Sequence, residues 1–258
     1  MKNNFFNHPL DNIYSKPSSK SEITSQILYG EKFKILKKSN KWIKIKTSYD
    51  SYTGFIKRRN FSHNFNPTKK IYKLKSKIFR RKKKKFFPTK NFLYFGSGIS
   101  IKKKTKKFIE FEKNKWIKID QIKDINHHER NYLKIFKSYL NTKYLWGGKT
   151  SKGIDCSALI QIFFYYNRVY FPRDTRDQVK FCKKKLGKKF IKGDILFWKG
   201  HVGICTDKKN FIHAYGPKKK VVIMPIKITI DMIGRTANLK VKKKSNLGSI
   251  SFAQNLAY

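Results

Sequence analysis

Apolar and polar positions alternate along much of the first half of the chain, and one six-residue segment does so twice. Asn40-Lys41-Trp42-Ile43-Lys44-Ile45 recurs as Asn114-Lys115-Trp116-Ile117-Lys118-Ile119. In each copy Trp and two Ile alternate with Lys, the mark of a strand with one buried face and one wet face. Each copy follows a Leu-Tyr and Gly element, Leu28-Tyr29-Gly30 and Leu93-Tyr94-Phe95-Gly96. Tyr52-Thr53-Gly54-Phe55-Ile56-Lys57 adds another short strand after the first copy. Short strands, turn residues and self-similarity predict two small β-barrels, over residues 1–65 and 66–123. Lys82–Lys85 and Lys102–Lys104 read as solvated loops, and lysines on strand edges also block edge-to-edge pairing.

The period changes further on. Ile125, Tyr132, Leu133, Ile135, Phe136, Tyr139 and Leu140 form a stripe at helical spacing and predict a helix over 124–140. A turn at Gly147-Gly148 leads to a second helix, residues 156–167, with Ala158, Leu159, Ile162, Phe163 and Tyr166 on one face. Phe171-Pro172-Arg173-Asp174 breaks that helix, and a polar segment with Cys182 follows. Short strands are then expected at Asp194–Trp198, His201–Cys205, Phe211–Tyr215 and Val221–Met224. Residues 124–240 read as a third domain. Residues 241–258 carry no strong pattern and read as a tail.

Composition adds softer bounds. Hydrophobic residues make up 39% and aromatics 16%, enough for folded cores despite 30% charge. A net charge of +47 favours polyanions of any kind. Yet nine of the 62 basic residues are Arg, and the lysines are spread over every region. Lys, Asn, Ile and Phe share AT-rich codons, so codon bias stands beside function as a source of the charge. Reading bases would favour Arg for bidentate contacts. No specific nucleic-acid partner is expected. Three cysteines make no disulfide framework and fit a reducing compartment. The N-terminus lacks an apolar h-region, and no apolar run is long enough to span a bilayer. The expected location is the cytoplasm, with export to the cell envelope as the alternative.

Cys156 is the candidate nucleophile. It stands where a Gly-Gly turn gives way to a helix, with Asp155 as N-cap, and a helix N-terminus lowers a thiol pKa. Cys182 and Cys205 have no such setting. His201, opening a strand, is the candidate base, and His213 would orient it through the other ring nitrogen. The hairpin imposes a condition. The two histidines share a face if the loop has three residues, Asp207-Lys208-Lys209, or five, or if the hairpin bulges. A two-residue turn at Lys208-Lys209 puts them on opposite faces. His8, His63 and His127-His128 read as loop or surface residues. No Cys or His pair has finger-like spacing, so neither a metal nor a cofactor is expected.

At this point a resemblance enters. Tyr144-Leu145-Trp146-Gly147-Gly148, Asp155-Cys156-Ser157-Ala158-Leu159, Pro172-Arg173-Asp174, Gly193-Asp194-Ile195-Leu196-Phe197-Trp198, His201-Val202-Gly203-Ile204 and Phe211-Ile212-His213-Ala214 together resemble the NlpC/P60 cysteine peptidases. That is a papain-like family of cell-wall peptide hydrolases. Residues 10–62 resemble bacterial SH3 domains, and residues 67–123 do so less closely. The implied fold class is α+β: a papain-like NlpC/P60 catalytic domain preceded by two small SH3-like β-barrels.

The resemblance implies Cys156 as nucleophile, His201 as base, His213 as orienting residue and Tyr144 on the oxyanion side. Asp155, Ser157, Asp174 and Thr175 match substrate-contacting positions of the subgroup with N-terminal SH3 modules. Ala158 departs from the usual Gly, and Thr175 from Ser or Ala. The subgroup resembles γ-D-glutamyl-L-diamino-acid endopeptidases, which require a free amino end. Asp155, Asp174 and an acid of the first barrel would receive that ammonium, with Glu22 and Tyr52 as the candidates from the barrel. The expected partner is a peptidoglycan-derived peptide. Two rivals stand beside this: an exported hydrolase of intact wall, and a non-catalytic polyanion or cell-wall binder. The oligomeric state is left open.

Overall fold

The structure is a computed structural model that describes residues 4–250. Residues 1–3 of the first barrel and 251–258 of the tail lie outside the described residues. The chain forms two compact units, one up to residue 128 and one from residue 129.

In the first unit, residues 4–57 make a six-stranded antiparallel sheet in the order Asn4–Phe5, Lys32–Lys38, Trp42–Thr47, Thr53–Lys57, Leu10–Tyr14, Ile23–Leu28. Its core is Phe6, Ile13, Ile27, Phe33, Ile43, Ile45 and Ile56. The repeated strand is present, but its Trp and Ile do not share a face. Side chains alternate, so Ile43 and Ile45 point into the core while Trp42 stands on the other face, edge-on to Tyr14 at 5.3 Å. The second copy buries both Trp116 and Ile117, because Phe86 covers the outer ring at 5.3 Å.

Residues 69–124 build a five-stranded sheet and a three-stranded sheet around Ile71, Ile78, Leu93, Ile99, Ile109, Phe111 and Ile117. Lys83-Lys84 is the turn of a long hairpin, Lys75–Lys82 against Lys85–Tyr94, and Lys103–Lys104 is the edge strand of the five-stranded sheet. Tyr29 crosses from the first module into this second core, where its hydroxyl donates to Glu112 at 3.3 Å. The backbones meet at Gly30 and Gly98: a Cβ on Gly30 would stand 2.3 Å from the Gly98 carbonyl oxygen, so only glycine fits.

The expected helix over 124–140 is shorter. Ile122–Asp124 is a strand paired with Lys69–Ile71, and the helix α1 spans Tyr132–Ser138. Ile125 falls on the stripe by spacing alone. The second unit further holds α2 (Cys156–Tyr166), α3 (Thr175–Phe181) and α4 (Ile226–Ala237). Neither α3 nor α4 is foreseen by the sequence reading. All eleven residues of α2 are buried, so it is a central helix rather than an amphipathic one.

α2 packs on a five-stranded antiparallel sheet, ordered Lys220–Pro225, Asn210–Tyr215, His201–Cys205, Asp194–Trp198, Lys243–Asn246. The last strand corrects the reading of residues 241–258 as a tail. It pairs with Asp194–Trp198 through its backbone, and the wholly buried Asp194 carboxylate accepts from Asn246 Nδ2 at 2.7 Å and Lys185 Nζ at 2.7 Å.

Candidate active site

Cys156 is the first residue of α2, and the turn before it is held from inside. Asp155 caps the helix, accepting from the Ala158 N–H at 2.7 Å. Its carboxylate also accepts from the Ser157 hydroxyl at 3.0 Å, the Gly147 N–H at 3.0 Å and both Arg173 terminal nitrogens at 3.0 and 2.6 Å. The Arg173–Asp155 pair is buried, with 1% and 7% side-chain exposure. A carboxylate offers about four lone-pair directions, and five donors fill them. The cap is therefore the role that the contacts of Asp155 support; no acceptor direction is left for a substrate ammonium.

Arg173 also donates to Ser157 Oγ at 2.9 Å, and Gln178 Nε2 donates to the carbonyls of Ser157 at 3.0 Å and Pro172 at 2.9 Å. Together they tie the Pro172-Arg173 segment to the start of α2. The sequence reading assigns no such role to Arg173 or Gln178. Apart from Pro172, six positions from Gln178, these partners lie 16 to 21 positions away, and no local period shows them.

The sulfur sits against the backbone on both sides of His201. Cys156 Sγ is 3.9 Å from the Gly200 carbonyl oxygen, 4.0 Å from Thr175 Oγ1, and receives the Val202 N–H. The hairpin meets the condition for bringing the histidines together. Ile204 pairs with Ile212 and Cys205 with Phe211, and the Thr206 N–H bonds to the Asn210 carbonyl. That leaves the three-residue loop Asp207-Lys208-Lys209, whose Lys209 and Asn210 N–H groups bond Asp207 Oδ1 at 2.7 and 2.8 Å. His201 and His213 then share a face, and His201 Nε2 lies 2.9 Å from His213 Nδ1.

This contact constrains the tautomers. For His201 to accept a proton on Nδ1, its Nε2 must carry hydrogen and donate to His213 Nδ1. His213 then holds its own proton on Nε2, an atom that is buried without a hydrogen-bond partner. The ring is fixed by packing instead: it stacks on Tyr215 at 4.7 Å and 16°, and meets Phe211 at 4.9 Å.

Burial dominates the acid–base properties. The Cys156 thiol is pushed up to about 11 by burial and then by the neighbouring Asp155 charge; the Val202 N–H, the Thr175 hydroxyl and Arg173 oppose this only in part. That corrects the expectation of a lowered thiol pKa, since desolvation outweighs the pull of the helix N-terminus. Burial lowers His201 to about 4. Burial, and next the proximity of His201, lowers His213 to about 2. The resting site is thus a neutral thiol beside two neutral imidazoles. Such a site passes the thiol proton to His201 as the sulfur attacks a carbonyl, and His201 returns it to the leaving amine.

Tyr144 is half-buried; burial first, and then its acidic neighbours Cys156 and Asp155, raise its hydroxyl pKa and keep it a neutral donor. Asp174 is the half-buried N-cap residue of α3, and Thr175 follows it. Glu22 and Tyr52 belong to the other unit. Glu22 is exposed at the start of the strand Ile23–Leu28, while Tyr52 packs against the core of the first module and donates to the Thr24 carbonyl at 3.3 Å. Cys182 and Cys205 are free and buried, and burial raises them to about 11 and about 12.

Residues 141–231 match the NlpC/P60 family, and residues 10–62 match the bacterial SH3 domain. The chain is 28% identical over 229 residues to dipeptidyl-peptidase 6 of Lysinibacillus sphaericus, covering 79% of this chain and 84% of that protein. It is 33% identical over 100 residues to gamma-D-glutamyl-L-lysine dipeptidyl-peptidase of Bacillus subtilis, covering 36% of this chain and 34% of that one. The structure of an NlpC/P60 family protein from Bacillus cereus superposes with a TM-score of 0.74 at 16% identity, over 87% of this chain and 94% of the other. That last likeness is one of fold.

Proposed function

We propose, for a chain that is a cysteine-type peptidase with an NlpC/P60 domain and a bacterial SH3 domain, that it hydrolyses the γ-D-glutamyl–diamino acid bond of peptidoglycan-derived peptides bearing a free N-terminal L-Ala. Cys156 is the nucleophile, His201 the general base and then acid, and His213 the residue that orients it. The Cys156 N–H, in the first turn of α2, and the Tyr144 hydroxyl stabilise the oxyanion. Asp174, Thr175 and Ser157 line the acyl side. The single observation that carries this reading is the sulfur lodged between Gly200 and Val202, with His201 bonded to His213 at 2.9 Å. The likeness to a dipeptidyl-peptidase across 79% of the chain supports release of a dipeptide, and the likeness to a gamma-D-glutamyl-L-lysine dipeptidyl-peptidase over 36% of it supports the bond.

In this reading the catalytic domain is papain-like and runs from residue 129 through the strand Lys243–Asn246, the sheets of residues 69–124 are a second, divergent SH3-like barrel, and the enzyme works in the cytoplasm on released wall peptides. The test is digestion of L-Ala-γ-D-Glu-diaminopimelate with and without an acetylated amine. The free peptide should release L-Ala-D-Glu, the acetylated one should resist, and Cys156→Ala should be inert. Equal cleavage of both peptides, or activity in Cys156→Ala, would overturn it.

A second reading is an exported hydrolase of intact wall. The chain's net charge of +47 favours it, since anionic wall polymers would hold such a protein. Release of peptides from whole sacculi faster than cleavage of the free tripeptide would decide for this alternative.

A further inference from the structure

The segment between α3 and the strand Asp194–Trp198 takes no part in the chemistry above. It reads Lys183-Lys184-Lys185-Leu186-Gly187-Lys188-Lys189-Phe190-Ile191-Lys192. Six of its ten residues are Lys, and from Gln178 to Gly193 the chain carries no Asp or Glu. Leu186 is 78% exposed, the most exposed large hydrophobic residue among the described residues. Ile191 is 43% exposed, and Phe181, which closes α3, is 39% exposed. Scattered exposed apolar side chains are ordinary, so these matter only through how the loop holds them.

One carboxylate fastens the loop from inside at both ends. The buried Asp194 accepts from Lys185 Nζ at 2.7 Å and from the Ile191 N–H at 3.0 Å. The Lys185 N–H donates to the Lys244 carbonyl at 2.8 Å. Lys244 Nζ in turn donates to the carbonyl of Gly187 and, at 3.0 Å, to that of Lys189. Phe190 turns inward and packs against the core that holds Trp198 and Phe211. The polar backbone of the loop is thus bound to the body of the unit. Leu186, Ile191, Lys183, Lys184, Lys188 and Lys189 are left facing solvent. Gly187, at φ +92°, makes the tip, where an added Cβ would meet nothing within 4 Å.

Such a surface fits one kind of partner. Its ammonium groups favour an anion. Leu186 and Ile191 gain only where they leave water. A single-stranded nucleic acid is held by stacking on aromatic rings, and the side chains at this tip are aliphatic. A soluble polyanion would satisfy the lysines and offer the leucine nothing. An anionic bilayer satisfies both, with phosphates at its surface and acyl chains beneath. The contact is one of the surface: among the described residues no helix is long and apolar enough to cross a membrane. Because the loop is already fastened, little ordering entropy opposes its insertion.

We propose that residues 183–192 form a membrane-docking loop that inserts Leu186 among anionic phospholipids and sets the flanking lysines on their headgroups. Docking of this kind does not depend on the peptidase reading, because lipid binding involves no catalysis.

The test is co-sedimentation of the full chain with vesicles of phosphatidylcholine alone, and of phosphatidylcholine and phosphatidylglycerol in equal parts. The mixed vesicles should bind the protein and the neutral ones should not. Leu186→Ser should weaken binding to the mixed vesicles by about 10-fold, the worth of burying one leucine. Lys188→Gln/Lys189→Gln should weaken it by about 30-fold. Lys37→Gln/Lys38→Gln removes the same charge from exposed positions of the first module and should change binding by less than about 3-fold. In Leu186→Trp, the added tryptophan fluorescence should shift to the blue on the mixed vesicles. Leu186, Lys188 and Lys189 are exposed, so these variants should melt with the wild type. Wild-type affinity in Leu186→Ser, no blue shift in Leu186→Trp, or an equal loss from the two lysine pairs would overturn the proposal and leave net charge as the cause. Binding to polyadenylate that Leu186→Ser weakens as much would overturn it in favour of a nucleic-acid surface.

Discussion

A Cβ placed on Gly203 would stand 2.8 Å from the Cβ of His213 and 2.3 Å from the Phe211 ring. Gly203 follows His201 by two residues on the same strand and abuts His213 on the next, and its missing side chain makes room for the ring that orients His201. Gly203→Ala should cost about 1–3 kcal/mol of stability by overpacking. It should also lower kcat by pushing His213 off His201. Thermal unfolding and steady-state kinetics check both, and a variant with wild-type kcat would show that the position is merely small.

The thiol should be protonated through neutral pH in the free protein, because burial and Asp155 hold it near 11. Iodoacetamide labelling of Cys156, read by peptide mass spectrometry, should climb steadily toward alkaline pH. A fast plateau at about pH 5–6 that vanishes in His201→Ala would mean instead that a thiolate–imidazolium pair forms before substrate arrives.

Stability should fall on acidification in a defined window. His201 and His213 titrate near 4 and 2 in the folded protein, below the ordinary histidine value of 6.5. Between 6.5 and about 4 the unfolded chain binds a proton at each histidine that the folded one refuses, and down to about 2 it does so at His213 alone, so stability is full above 6.5 and is lost as pH drops through this range. His213→Asn removes one of the two groups and should cut the pH slope of the unfolding free energy by roughly half. An unchanged slope would place the acid sensitivity elsewhere.

Removing one member of the buried Asp155–Arg173 pair strands the other charge. Arg173→Met should cost about 3–5 kcal/mol and reduce activity together with stability, since the same pair fixes the turn that presents Cys156. Chemical denaturation gives the first quantity. A loss under 1 kcal/mol would mean that water reaches the carboxylate.

The placing of the candidate cysteine at a helix start and of the two histidines on one face was legible because helix start and strand parity are both local. The parity rule also allows the histidines to meet only with an odd loop or a bulge, and Asp207-Lys208-Lys209 is that odd loop. The same rule, applied more strictly to Trp42 and Ile43, puts adjacent residues on opposite faces, which the reading of the repeat overlooked. Three features were hidden for physical reasons. The strand Lys243–Asn246 pairs by backbone and has a lysine-rich sequence with no apolar signature. The partners of Arg173 are too distant in sequence for any period to show them. The acidity of Cys156 depends on how deeply the finished fold buries it, and motif position alone does not report that.

Tyr29 belongs by chain position to the first module and by burial to the second. A ring shared in this way makes folding of the N-terminal unit cooperative across the boundary between its modules. The second sheet set does not complete its interior alone, so the unit should melt in one transition rather than as two beads on a string. Cutting the chain just after residue 62 would remove from residues 69–124 an aromatic ring that their own sequence does not supply.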